Sequence, residues 1–519
     1  MNLNHRYIAK ITIETVTPLS IGSGEKGLLI DRIVAKDANG LPYIPGTSLS
    51  GVLLHSFALK EEYDLVKSIF GSSGENGEGS RLKMSAAHLV GEDGITVIEG
   101  LKNIDFSKGF YQYFNLLPER DHVRINHKGT ADSENHGKYD EQLVHKGTRF
   151  VFEMELIGTS NDIENWNKLI NLLASPLFRI GAGTRKGFGE LKIIQDKSYA
   201  KIFNLSLKND LLYYLNKSSS LNFDCRKWSI IPIKYLDKND SWINYSLKLE
   251  AKDFFMFGAG FGDDDADNKS KTEKYFDWSS GKPNLISHEY LLIPATSIKG
   301  AIAHRVAYLF NKEECITVEN SSNNHLSTSI DSDMVLSKFD INDDILNIPS
   351  NSDKWESLIE EVKSWSIDSS LLWSRFKDEL DEEANLLKHT LNNALGENNE
   401  AVKVLFGFAK NDNNKSAGQI GKVIINDIYL PYQSDKVFNH TKIDRFTNGT
   451  IDGALFQEKV VSYKDEIILD IWVEKDAFNN KKIQTAFEKT LEDLIDGRLP
   501  LGGNTTKGYG IFKGSLIKK

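Results

Sequence analysis

The sequence predicts an α+β fold made twice in one chain, and three observations predict it. First, the run Ile44-Pro45-Gly46-Thr47-Ser48-Leu49-Ser50-Gly51 returns as Ile293-Pro294-Ala295-Thr296-Ser297-Ile298-Lys299-Gly300. Second, the glycine loop Gly181-Ala182-Gly183-Thr184-Arg185-Lys186-Gly187-Phe188-Gly189 returns as Gly502-Gly503-Asn504-Thr505-Thr506-Lys507-Gly508-Tyr509-Gly510. Third, segments of alternating and of helical hydrophobic period follow one another in the same order on both sides.

Each Ile-Pro run reads as a turn feeding a helix. Proline fixes φ ahead of the first turn, and a Thr or Ser oxygen is expected to take up the free amides there. The apolar positions that follow, Val52, Leu53 and Phe57 against Ile302, Val306 and Leu309, keep helical spacing. In the first half, Tyr7 to Val16 and Thr148 to Leu156 alternate as strands, and Ile163, Trp166, Leu169, Ile170 and Leu173 make one helical face. The second half answers with strands at Tyr245 to Ala251 and Glu466 to Val473 and a helix holding Ile483, Phe487 and Leu494. Ile21-Gly22-Ser23-Gly24 aligns with Phe257-Gly258-Ala259-Gly260, and the polar stretch Val123 to Asp132 with Ile443 to Asp452. This β-helix-β-β-helix-β order predicts two tandem ferredoxin-like, RNA-recognition-motif-like domains with long inserted loops, at 1–215 and 216–519. The linker is expected around Asp196 to Trp228. The second domain carries an acidic insertion, 312–400, expected to be helical in part.

Composition narrows the class. A chain of 519 residues with 40% hydrophobic content can bury two cores. Two cysteines, Cys225 and Cys315, support neither a disulfide framework nor a four-ligand zinc site, so a reducing cytoplasm is expected. The alternating start lacks a signal peptide's apolar core, and no stretch has the length to span a membrane. The net charge is −10, yet Lys312–Glu400 alone holds 20 Asp and Glu against 7 Lys and Arg. With −13 confined there, the remainder stands at +3 and admits a polyanionic partner.

The Ile-Pro-Gly-Thr-Ser turn, the polar Gly-Thr-x-Asp excursion and the closing Thr-x-Lys-Gly-aromatic-Gly loop together resemble the CRISPR-associated RAMP superfamily. More narrowly, they are similar to tandem backbone subunits of type III effector complexes. The resemblance implies a partner guide CRISPR RNA, a complementary target RNA and other effector subunits, with no membrane. It also implies a β-hairpin thumb in each domain that wedges between guide and target and splays a base.

The resemblance further implies that an aspartate shortly before the Ile-Pro turn cuts target RNA, with Mg²⁺ or Mn²⁺ as cofactor. Asp31, 13 residues before Ile44, is that residue in the first half. One carboxylate can hold a hydrated divalent ion against the scissile phosphate while the RNA 2′-OH attacks. A bland reading stands beside it, in which Asp31 caps a turn or pairs with Arg32. In the second half Asp277, 16 residues before Ile293, is nearest to the expected place, with Asp263, Asp264, Asp265 and Asp267 as rivals.

The expected RNA contacts are Thr47, Ser48, Thr296 and Ser297 at the helix starts, where unpaired amides favour anions. Arg185, Lys186 and Lys507 in the closing loops, and Lys299 and Arg305 on the second helix, add charge. Arg124 and His127 in the first thumb and Arg445 and Phe446 in the second offer charge with a stacking face. His122, His127, His136 and His145 have no zinc spacing and are placed along the thumb. His55 and His304 read as packed helix residues. Two alternatives stay open: a non-catalytic scaffold, and a guide-processing endoribonuclease that works through histidine and lysine.

Overall fold

The computed structural model describes residues 3–24, 27, 30–74, 77–126, 129–131, 137–233, 241–286, 288–314, 394–408 and 418–519. Helix and sheet are mixed throughout. The chain forms two compact units, one of Met1–Ile302, Lys422–Asp476 and Leu491–Lys519, the other of Ala303–Gly421 and Ala477–Thr490. Most of the acidic insertion, residues 315–393, lies outside the described residues, as does Cys315.

In the larger unit, His5–Thr15 is the central strand of the first half. Arg149–Gly158 pairs antiparallel with it along its length, Leu82–Met84 lies beyond, and Leu191–Ile193 lies on the other side. Ile11 faces Phe152 and Ile13 faces Phe150 across the ladder, all of them buried. Gly46–Ala58 buries Leu49, Leu53 and Phe57, four residues apart, so one helical stripe meets the core. Ile163–Leu173 buries Trp166, Leu169, Ile170, Leu172 and Leu173. A capping box between Thr159 and Asp162 sets the turn that leads into it.

The second half has its own sheet, in the order Val423–Ile425, Ile467–Glu474, Trp242–Ala251, Phe512–Lys518. Leu247 faces Leu469 there, both buried, and Ile467–Glu474 alternates buried and open positions as a half-covered strand does. In the smaller unit, Glu400–Phe406 is capped by Asn399, whose Oδ1 accepts from the Ala401 and Val402 amides.

Three expectations change. The segment after Asp196 is not a plain linker, because Tyr199–Asn204 adds to the free edge of His5–Thr15 and Lys208–Asn216 is a helix. Phe203, Cys225 and Trp228 close a small core there against Ile8, an apolar spacing too sparse to stand out in sequence. Thr47 and Ser48 do not cap their helix, which begins on Pro45 with no side-chain cap. They already lie inside the first turn, past the position from which a side chain reaches back. The second helix, Ala295–Glu313, takes its cap from afar, its Ala295 amide donating to Asp427 Oδ1 (2.8 Å).

Within the larger unit the two repeats are tied by a buried charge network. Arg120 donates to Glu273 through Nε (2.6 Å) and Nη2 (2.7 Å), and to Asp427 through Nη1 (2.6 Å). Tyr429 donates to Glu273 Oε2 (2.8 Å). Burial alone would discharge these groups. The two carboxylates hold the guanidinium well above its ordinary range, Arg120 in turn holds Glu273 below the carboxylate range, and burial pushes Asp427 up. Gly187 of the first closing loop sits against the second helix start, where a Cβ would come within 2.7 Å of Ala295 Cβ and Asp427 Oδ1. Phe276 of the second half joins the first half's core beside Phe110, Phe114 and His145.

His145 is therefore not a thumb residue. Burial lowers its pKa, with the charge of Glu273 acting the other way. The sign follows: the unfolded chain binds a proton there that the folded chain refuses, so stability falls as pH drops through the ordinary imidazole range. Urea midpoints at pH 7.5 and 5.5 should show a larger acid loss in the wild type than in His145→Asn.

Candidate nucleic-acid interface

Each half carries an antiparallel hairpin, Glu119–Val123 with Lys138–Gln142 in the first and Ser434–His440 with Phe456–Ser462 in the second. A glycine loop runs beside each hairpin root. In the first, the Ala35 amide donates to Ile21 O (2.7 Å) and the Ser23 amide to Ile33 O (3.1 Å); in the second, Lys271 donates to Phe257 O (2.6 Å) and Ala259 to Lys269 O (2.9 Å). Leu19 bridges Val144 as Phe255 bridges Val461. The two loops thus have the same backbone wiring.

Asp31 lies in the first loop, exposed, against the returning hairpin strand. Its amide donates to Asp140 Oδ1 (2.7 Å) and its Oδ2 accepts from the Asp140 amide (3.2 Å). This reciprocal pairing ties two acidic residues together, Asp31 exposed and Asp140 half-buried. Arg32 turns toward Glu141, 4.0 Å away, and lies over the Tyr139 ring at 5.2 Å.

A quartet of side chains that sequence reading did not assemble stands at each root. In the first half, His122 stacks on Tyr139 (4.7 Å) with Nε2 2.8 Å from Glu141, and Lys186 lies over the same ring (5.4 Å) and donates to its hydroxyl (3.0 Å). In the second half, His440 stacks on Phe456 (5.0 Å) with Nε2 2.9 Å from Glu458, and Lys507 lies over Phe456 (4.7 Å) and bonds Glu458 (3.1 Å). Both glutamates are buried. Burial would raise Glu141, but His122, the Ser20 hydroxyl and Arg32 hold its carboxyl below the ordinary range. The signal for this quartet was the spacing Tyr139-x-Glu141 and Phe456-x-Glu458, legible only once the strands are paired.

The other expected contacts fall as follows. Thr47 and Ser297 are exposed, and Ser48, Thr296 and Lys299 half-buried. Arg185 is held by Glu474 (3.1 Å) and lies over Trp242 (5.0 Å), so it ties the repeats together. Arg305 lies over Tyr308 (5.1 Å). Arg124 and Arg445 are exposed on their hairpins. Phe446, at the second hairpin's tip, is 98% exposed on a turn held by Asp444 Oδ1, which accepts from the Phe446 (2.9 Å) and Thr447 (2.8 Å) amides. His127 and His136 lie outside the described residues. His122 is buried at the hairpin root, and His55 and His304, read from sequence as packed, are exposed.

Asp277 does not meet the second hairpin root. It sits in a short hairpin, Phe276–Asp277 with Asn284–Leu285, its carboxylate accepting from the Ser279 hydroxyl and amide. There it lines a cavity with Glu14, Lys146, Arg149 and Lys192. Among the described residues, no cluster of three or more His, Cys, Asp or Glu forms a metal site. A magnesium ion, however, needs only one or two carboxylates, its remaining positions going to water and phosphate. The surface pair Asp31 and Asp140 fits that donor set.

The architecture defines a tandem-repeat α+β protein with a loop-and-hairpin surface in each half. Residues 12–192 and 287–513 match the model of the RAMP superfamily, and the protein belongs to that family. Membership gives it a CRISPR-associated, RNA-binding role, RAMP proteins typically binding CRISPR RNA and partner subunits. No curated protein matches the chain. Among the described residues, no helix is long and apolar enough to cross a membrane.

Proposed function

We propose that this chain is a guide-RNA-binding backbone subunit of a type III CRISPR effector complex that cuts complementary target RNA at Asp31. The strand order in each half, with the fourth strand beside the first, then the third and the second, supports two ferredoxin-like backbone positions on one polypeptide. The observation that carries the cleavage reading is the Asp31–Asp140 pair at a hairpin root. A hairpin that splays a target base would present the adjoining phosphate to this pair. Bound there, Mg²⁺ or Mn²⁺ would neutralise charge developing on that phosphate. Arg32 and Lys186 add positive potential at the same root. The RNA 2′-OH then needs only in-line placement to attack.

Incubating the guide-loaded complex with complementary RNA and Mg²⁺ tests this reading. Wild type should yield discrete products that EDTA abolishes and Asp31→Asn depletes. Cleavage indifferent to both would overturn it. Phe446, open on a hydrogen-bonded turn, suits base stacking, worth about 1–3 kcal/mol per base. Phe446→Ala should weaken target-RNA binding by roughly 5- to 150-fold in filter-binding titrations, with guide retention unchanged.

A further inference from the structure

We propose that the second half holds its own cutting centre at Asp267, in place of Asp277. The inference rests on the cleavage reading of Asp31 and extends it to a second site on the chain. Gly22 bridges Val34 as Gly258 bridges Ser270, so the two matching bridges enclose stretches of equal length in the sequence. Asp31 and Asp267 each stand nine residues beyond that glycine. The next residues then meet the hairpin alike, since Arg32 bridges Glu141 in parallel and Asn268 pairs in parallel with Glu458.

The contact that positions Asp31 recurs as well. Asp267 Oδ2 accepts from the Gln457 amide (2.7 Å), just as Asp31 Oδ2 accepts from the Asp140 amide (3.2 Å). Gln457 follows Phe456 and precedes Glu458, as Asp140 follows Tyr139 and precedes Glu141. The strand residues on either side of Gln457, Phe456 and Glu458, belong to the second quartet already described. Asp267 is exposed, as Asp31 is. Two rivals are engaged elsewhere, Asp263 and Asp265 both by Lys459 (3.1 and 2.9 Å).

One difference has a consequence. Where the first centre has a second carboxylate, Asp140, this one has the neutral Gln457, whose Nε2 donates to Asn439 (2.8 Å). Fewer charged ligands mean weaker cation affinity, so the second centre should require more Mg²⁺. The chemistry is otherwise the same. The 2′-oxygen bonds to phosphorus, the bond from phosphorus to the 5′-oxygen breaks, and the 2′ proton passes to water while water protonates the leaving oxygen. The products are a 2′,3′-cyclic phosphate and a 5′-hydroxyl, with no other reactant.

The test uses the full chain in its guide-loaded complex with complementary RNA. Asp31→Asn, Asp267→Asn and Asp277→Asn are compared by product mapping across a Mg²⁺ titration. Asparagine retains the oxygen that accepts from Gln457, so the loop should stay folded. Asp267→Asn should remove one product, the one needing more Mg²⁺, while Asp31→Asn removes a different one and Asp277→Asn removes neither. Retention of both products in Asp267→Asn, or loss of the second in Asp277→Asn, overturns the assignment. A second readout does not depend on cleavage. Fe²⁺ replaces Mg²⁺, and ascorbate with peroxide cuts the polypeptide beside the bound ion. Cuts at 267 and 457 that vanish in Asp267→Asn support the centre even if wild type leaves RNA intact, in which case the cleavage reading alone has failed. Absence of those cuts with iron bound at 31 and 140 overturns it.

Discussion

Asp31→Asn should slow formation of its target-RNA product by about 100-fold or more while leaving guide binding intact. The substitution is nearly isosteric and keeps an oxygen facing the Asp140 amide, so the loop geometry survives. What it removes is the charge. Asp31 and Asp140 are proposed to hold one cation together, so the double variant should be little worse than Asp31→Asn alone, as groups acting as a unit are not additive. Asp140→Asn should shift the Mg²⁺ requirement upward. Single-turnover cleavage over a Mg²⁺ series separates these effects, and equal rates in all four proteins would sink the assignment.

Arg120→Ala should be the most destabilising single change at the junction of the repeats. It leaves Glu273 and Asp427 buried without their shared cation, a loss on the order of 3–5 kcal/mol. That is a large part of what holds a typical domain folded. Arg120→Lys should recover little of it, because the three donors of an ammonium radiate from one nitrogen and cannot reproduce the planar fork that meets Glu273 through Nε and Nη2 and Asp427 through Nη1. Urea unfolding and limited proteolysis at neutral pH provide the check. The reverse outcome, a fully stable Arg120→Ala, would mean the repeats are held by apolar contacts such as Phe276 alone. Because Arg120 stands on the first hairpin and its partners belong to the second repeat, the same network fixes one hairpin root against the other repeat.

Much of this molecule was legible as pattern. Duplicated local motifs survive in sequence because each answers a local demand. Gly181 and Gly502 press on the carbonyls of Ser20 and Met256 at positive φ, where a Cβ has no room. The helical stripe through Leu49, Leu53 and Phe57 and the alternation in Ile467–Glu474 needed no tertiary knowledge. The family came from such signals, and its resemblance in turn points to Asp31.

The rest was decided by what the fold brings together. Counting back from the Ile-Pro turn leads to Asp277, across a loop that is longer in the second half. Counting forward from Gly22 and Gly258 reaches Asp31 and Asp267, and the paired bonds to Asp140 and Gln457 are the ground on which Asp267 is proposed. Arg185 reads as a free cation until Glu474, hundreds of residues away, takes it. The sequence by itself determined the duplication and the family, since these rest on contiguous motifs. Only the tertiary structure decided the quartets, the buried Arg120 network and the partner of each loop aspartate, because hydrogen bonds between distant strands leave no local period to read.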